Sequence, residues 1–137
     1  MDSKNIRTIE QGRAKFAYEK VQEIKGYAEA KRKEYKSYAK KLPMMIKTNG
    51  LGPALAFANS KDAYKLIFSH ISSWIKENPR TAQDPNFKEL REDKNKDLVA
   101  FVIKCDSDVY KMVTLEILAF LNWLRRFAEG LGEEQDA

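Results

Sequence analysis

Reactive side chains are scarce in this chain: among 137 residues there is one cysteine, Cys105, and one histidine, His70. Two such residues cannot complete a tetrahedral zinc site from the usual ligands, and a cysteine–histidine nucleophilic pair would require these two to meet. No carboxylate pair with metal-site spacing stands out either, so the reading assigns no catalytic residue, no metal and no cofactor. Proline and glycine are few, four and six residues, which argues against a fibrous or low-complexity chain. Long apolar runs are missing too: the longest, "LEILAFLNWLRRFAEGL", is interrupted by Glu116, Asn122, Arg125 and Arg126, short of the ~20 residues a membrane span needs. The N-terminus, "MDSKNIRTIEQGRAKF", has no apolar h-region and no small-residue cleavage site, so the expected location is cytoplasmic, away from membranes.

What is present is 43% apolar and 33% charged sequence, of a length that removes roughly two thirds of its unfolded surface from water on folding. The expectation is an all-α, single-domain bundle of six to seven helices, with long first and last helices. Residues 1–130 form the domain, and 131–137 form an acidic, disordered tail. From Ser3 to Leu42 no proline occurs, and Ile9, Phe16, Ala17, Val21, Ile24, Tyr35, Tyr38 and Leu42 recur at helical spacing. One long helix follows, with Gly26 as a place to bend and Pro43 as a kink or a fresh start. Ser60 is read as an N-cap of "SKDAYKLIFSHISSWIKENP", Asp97 as the cap of a helix over "DLVAFVIK", and Ser107 as the start of a last helix ending at Gly130. That last helix is apolar nearly all round at its middle and belongs at the centre of the core.

The run "KTNGLGPALAF" has two glycines beside a lysine and an asparagine, superficially a phosphate loop. Asn49-Gly50 after a helical turn is the chemistry of a left-handed C-cap, and Pro53 suits the first position of a following helix. The phosphate-loop signature needs other spacing and a preceding strand, so the run is read as a turn.

Two charges fall on apolar stripes. At 100° per residue Glu116 lies among Val109, Met112, Trp123 and Phe127, and Arg13 among Ile6, Ile9, Phe16 and Ile24. A lone buried charge costs several kcal/mol, while an opposed, hydrogen-bonded pair approaches neutrality; Arg13 and Glu116 are therefore expected to pair and to dock the first helix on the last. A carboxylate with no second acid, histidine or metal beside it is a poor general acid or base. His70, sharing a side with Ile67, Ile71 and Trp74, is read as a core histidine. Leu115 and Leu118 fall on the polar stripe of the last helix, where a subunit contact and filling by the chain's own loops are both open.

Charge is unevenly spread. The last nine residues hold four acids and no base, so without them a net charge of +5 becomes +9. Between Lys25 and Lys47 eight bases face only Glu29 and Glu34. Lys25, Arg32, Lys33, Lys36 and Lys40 lie away from the apolar stripe, and Lys41 and Lys47 continue the ridge past Pro43. Such a ridge is either an ordinary solvated face or a holder of phosphates that reads no bases; the shortage of compensating acids favours the second. Tyr35 and Tyr38 point toward the apolar stripe and are read as packed, not as platforms for bases.

The segments "QGRAKFAYEKV", "YAKKLPMMIKTNGLGPALAFANSK" and "TLEILAFLNWLRRFAEGL" together resemble the small α-helical subunit of the type III-B CRISPR effector, the Cmr complex. The stretch from Pro79 to Asp106 carries little of that resemblance. The resemblance implies a non-catalytic subunit, several copies of which stack head to tail into a minor filament, with the other Cmr subunits, crRNA and target RNA as partners and no small-molecule substrate. It also implies RNA-backbone contacts by Lys40, Lys41, Lys47, Asn49, Arg125 and Arg126, to which charge alone adds Lys25, Arg32, Lys33 and Lys36. Competing classes are a helical adaptor whose basic face docks acidic subunits, and, least supported, a hydrolase or nuclease.

Overall fold

The computed structural model describes residues 3–92 and 97–131, with side chains from residue 9 onward. The described residues form eight α-helices and no strand: α1 (Ser3–Ile24), α2 (Glu29–Asn49), α3 (Leu51–Ser60), α4 (Lys65–Glu77), α5 (Pro79–Ala82), α6 (Lys88–Glu92), α7 (Leu98–Lys104) and α8 (Ser107–Ala128). Short 3-10 turns, Asp62–Tyr64 and Pro85–Phe87, lead into α4 and α6. None of these helices is long and apolar enough to cross a membrane. The fold is all-α, with long first and last helices as expected.

The expected first helix divides. The amide of Lys25 is shared between the carbonyls of Val21 and Gln22, Tyr27 closes a turn on Ile24, and Ala28 is extended before Arg32 N–H reaches the Ala28 carbonyl to start α2. Gly26, poor at propagating a helix, sits at this break. Pro43 does not kink the chain into a new element; it lies inside α2, which runs on to Asn49. The proline costs about 3 kcal/mol through the missing N–H and the clash with the carbonyl four residues back. Burial of Tyr35, Ala39, Leu42 and Ile46 along one face of α2 outweighs it, at roughly 1.5–3 kcal/mol for each large side chain.

The turn at Gly50 is a second departure in detail. Gly50 caps α2, its N–H donating to the Ile46 carbonyl at 2.9 Å, with φ 93° and ψ 159°, a positive-φ extended conformation open to glycine, in place of the left-handed helical one. Gly52 lies within α3, not in a loop, and its N–H donates to the Tyr110 hydroxyl at 3.0 Å; Pro53 is the third residue of α3. Ser60 ends α3 instead of capping α4, while Asp97 caps α7 by accepting from Ala100 N–H at 2.7 Å. Asp106, one residue before Ser107, caps α8 by accepting from Val109 N–H at 3.0 Å. Leu131 is buried, and residues 132–137, the rest of the expected acidic tail, lie outside the described residues.

Helix α8 is central and packs on α1, α2 and α4. Glu116, 4% exposed, is met on three sides. Arg13 Nε donates to Oε2 at 2.7 Å and Nη2 to Oε1 at 3.1 Å, Trp74 Nε1 donates to Oε2 at 3.0 Å, and Arg80 stands 3.7 Å from Oε1. Burial by itself pushes the Glu116 carboxyl up, but the hydrogen bonds from Arg13 and Trp74 and the Arg13 charge bring it below the usual value. Arg13 also holds Glu10, which accepts from Trp123 Nε1 at 2.7 Å, so the network returns to α8. Trp74, one of the donors to Glu116, packs with Phe16 and Phe120, the ring centroids lying 5.2–5.9 Å apart.

His70 is buried at the joint of α1, α2 and α4. Nδ1 lies 2.7 Å from the Tyr35 hydroxyl, and Nε2 lies 3.9 Å from a Glu23 oxygen. Cys105 has a separate partner, the Val102 carbonyl.

Arg13→Ala should cost about 3–5 kcal/mol in urea unfolding, and much less in a Glu116→Leu background, because the first change strands a buried carboxylate. Equal losses in both backgrounds would remove the coupling. A second outcome concerns acid. Burial, helped by the Lys20 charge, lowers His70 to about 4, so between its unfolded value near 6.5 and that point the unfolded chain binds a proton the folded chain refuses. Stability contributed by neutral His70 is complete above pH ~6.5 and is lost as pH falls toward 4, by up to ~3 kcal/mol. The urea midpoint followed across that window should slope less in His70→Gln, and an unchanged slope would count against it.

Candidate nucleic-acid interface

The bases of α2 do not form one continuous ridge. Arg32 is buried, 6% exposed, with Nη1 donating to the Tyr27 carbonyl, so it closes the α1–α2 break and leaves the expected RNA-facing set. Lys25 is half-buried at the same break, and Lys36 is half-buried further along α2. Lys33 is exposed but lies 3.1 Å from Glu29, and Lys31 lies 3.8 Å from Glu34. Such exposed pairs are worth little and exchange readily with a phosphate.

Lys40, Lys41, Lys47 and Asn49 are exposed in the second half of α2, and among the described residues none of these lysines stands in an ion pair. The Lys41 ammonium lies over the Tyr38 ring, 5.8 Å from its centroid. Tyr38 in turn stacks on Tyr64 at 3.9 Å, so this tyrosine is packed, and Tyr35 is buried.

Packing of α2 on α8 brings separate parts of the charge together. Lys40, Pro43, Met44 and Lys47 from α2 face Leu118, Asn122 and Arg125 from α8 across a groove of about 260 Å³. Three cations and one amide rim an apolar floor, and no carboxylate lines it. Arg126 is exposed on the next position of α8 and does not line the groove. A shallower depression, lined by Lys41, Met44, Met45, Thr48 and Asn49, lies on the other side of Met44.

The groove can hold an anion against an apolar neighbour, and among the described residues no group of three or more His, Cys, Asp or Glu is placed to hold a metal ion. Sequence reasoning nominated Lys40, Lys47 and Arg125 but missed Pro43, Met44, Leu118 and Asn122 as their companions. The signal was present as matching registers, 40/43/44/47 on one helix and 118/122/125 on the other, each a single face at helical spacing. What was missing was the knowledge that the two faces meet.

A second surface is apolar. Leu115 and Ile103 are each 65% exposed beside a depression lined by Gly52, Pro53 and Tyr110, so the described chain does not fill the site at Leu115. Leu118 is partly buried, as the floor of the basic groove.

Comparison with known proteins agrees with this architecture. The sequence model of the family described as CRISPR-associated protein (Cas_Cmr5) matches residues 9–131, including the stretch from Pro79 to Asp106. A curated relative from Thermus thermophilus, the CRISPR system Cmr subunit Cmr5, is 36% identical over 132 residues, spanning 94% of this chain and all of the relative. The crystal structure of a CRISPR-associated Cmr5 family protein, also from Thermus thermophilus, superposes with a TM-score of 0.69 at 31% identity, covering 89% of this chain and 98% of that one. With its sequence matched nearly end to end and its helices in the same arrangement, the chain belongs to the Cmr5 family of CRISPR-associated proteins.

Proposed function

We propose that this chain is a non-catalytic small subunit of the type III-B Cmr RNA-guided complex, that copies of it stack head to tail, and that it holds the crRNA–target RNA duplex by its backbone. The observation that carries the RNA reading is the groove between α2 and α8, where Lys40, Lys47 and Arg125 converge with no lining carboxylate. Lysines without acid partners keep their hydration and counterions until a polyanion displaces them, which favours phosphate over base recognition. Lys41 and Asn49, next to the groove, extend the same surface. Stacking and contact with other Cmr subunits draw support from the family and from the bare apolar surface at Leu115 and Ile103, which a partner would cover. The same surface favours the rival reading, a helical adaptor whose basic face docks acidic subunits without touching RNA.

Charge reversal separates the two. In assembled complexes carrying Lys40→Glu and Lys47→Glu, RNA retention should fall, and the slope of log affinity against log salt should shrink by about 1.4–1.8, the share of two phosphate contacts. Assembly, followed by size-exclusion chromatography, should be unchanged. Lost assembly with normal RNA retention in the complexes that do form is the adaptor result. Purified protein incubated with RNA and divalent metal should leave the RNA intact; cleavage abolished by a point substitution would overturn the non-catalytic assignment.

A further inference from the structure

Met44 is 66% exposed in the interior of a helix, and it is the residue shared by the two depressions on this face. On one side lies the groove with Lys40, Lys47 and Arg125; on the other lies the shallower site with Lys41 and Asn49. An unbranched thioether standing in water between a groove with three cations and a hollow with one, Lys41, has no role in the core, since the core face of α2 runs through Leu42 and Ile46. Lys40 and Lys47, seven residues and so about 10 Å apart along the axis, both belong to the groove, while Lys41 stands on the other side of Met44. The hollows have charge for phosphates, and the crest between them has only apolar surface for what lies between phosphates. Pro43 lies against Met44 on the groove side and continues the apolar crest into the floor.

We propose that Met44 is an apolar wedge that enters an RNA strand between two neighbouring nucleotides, whose phosphates occupy the hollows on either side. This rests on the RNA-contact reading above and adds a position on the strand: the bases flanking the wedge are unstacked, as happens where other proteins insert apolar side chains at a base step. A flexible methionine suits the task because it can follow any base, keeping the contact independent of sequence. The lysines supply the salt-sensitive part of binding, and Met44 supplies a part that salt leaves largely unchanged.

The test uses the full-length protein and a single-stranded 12-mer RNA containing 2-aminopurine, whose fluorescence rises when the base unstacks, at about 50 mM salt, where phosphate contacts are strong. Wild type should bind and raise the fluorescence. Met44→Gln, of similar length but polar, should lose the rise and bind about tenfold more weakly, the loss expected for part of a methionine's apolar burial. Met44→Leu should keep both. Lys40→Glu with Lys47→Glu should lose binding while circular dichroism stays unchanged. If Met44→Gln binds and brightens like wild type, the wedge is wrong and the RNA surface stands. If wild type fails to bind the 12-mer, or binds without brightening it, the wedge is overturned, while the RNA reading stands or falls separately on the charge-reversal test in assembled complexes.

Discussion

A carboxylate excluded from water must be met by donors or be neutralised, and the way Glu116 is met fixes the relation of three helices. Arg13 reaches it from α1 with two nitrogens, and Trp74 reaches it from α4, while Glu116 itself belongs to α8. Replacing such a cluster with hydrocarbon is often no worse for stability. Its value lies in geometry: hydrocarbon side chains tolerate small rotations of one helix on another, whereas a guanidinium bonded through Nε and Nη2 to one carboxylate accepts few. Glu116 and Arg13 are both buried, and Trp74 packs in turn with Phe16 and Phe120, so the polar centre sits in a low-dielectric setting that strengthens it.

The reach of that constraint extends to the far side of α8. Arg125 is nine residues after Glu116, which at 3.6 residues per turn puts it about 180° away, and Leu118 and Asn122 fall within about 60° of Arg125. Holding Glu116 inward against α1 and α4 therefore aims the Leu118, Asn122 and Arg125 face away from that joint. There α2 packs beside it and closes the groove with Lys40 and Lys47. A rotation of α8 by one residue position would bring Glu116 out of its ring of donors and Arg125 out of register with the lysines together.

The pairing of Arg13 with Glu116 was legible because a charge on an apolar stripe is a local signal that survives without knowledge of the fold. Trp74 and Arg80 were not legible as its partners, since nothing in a helical period says which face of α4 or α5 meets α8. Arg32 was misplaced for a different reason. Treated as part of one helix from Ser3, it falls with the external lysines. Once the chain breaks at Gly26 the phase restarts, and Arg32 stands at helical spacing with Tyr35, Ala39, Leu42 and Ile46, the buried face of α2. Pro43 shows tertiary packing overriding a local rule, while Asp97 shows the rule holding where little packing competes with it. The groove needed both helices in place before its residues could be seen as one set.

The division between arginine and lysine follows the same physics. Of the arginines that turn inward, Arg13 finds a carboxylate and Arg32 a backbone carbonyl, though Arg32 Nη2 is buried without a partner among the described residues. A planar guanidinium with five fixed donors and weak hydration can give up water on those terms; an ammonium holds its water more tightly and has no fixed fork to offer. Lys40, Lys41 and Lys47 accordingly stay outside, where their heads can remain hydrated and their stems can cover apolar surface. Arg125 is intermediate, half-buried at the groove wall with its α8 backbone fixed by the Glu116 joint. A phosphate chain lying on this face, as proposed, would meet two exposed lysines and one half-buried arginine. If RNA occupies the groove as proposed, electrostatic attraction would come mainly from the lysines and directional hydrogen bonding from Arg125, the cation whose planar fork suits it to orienting the strand.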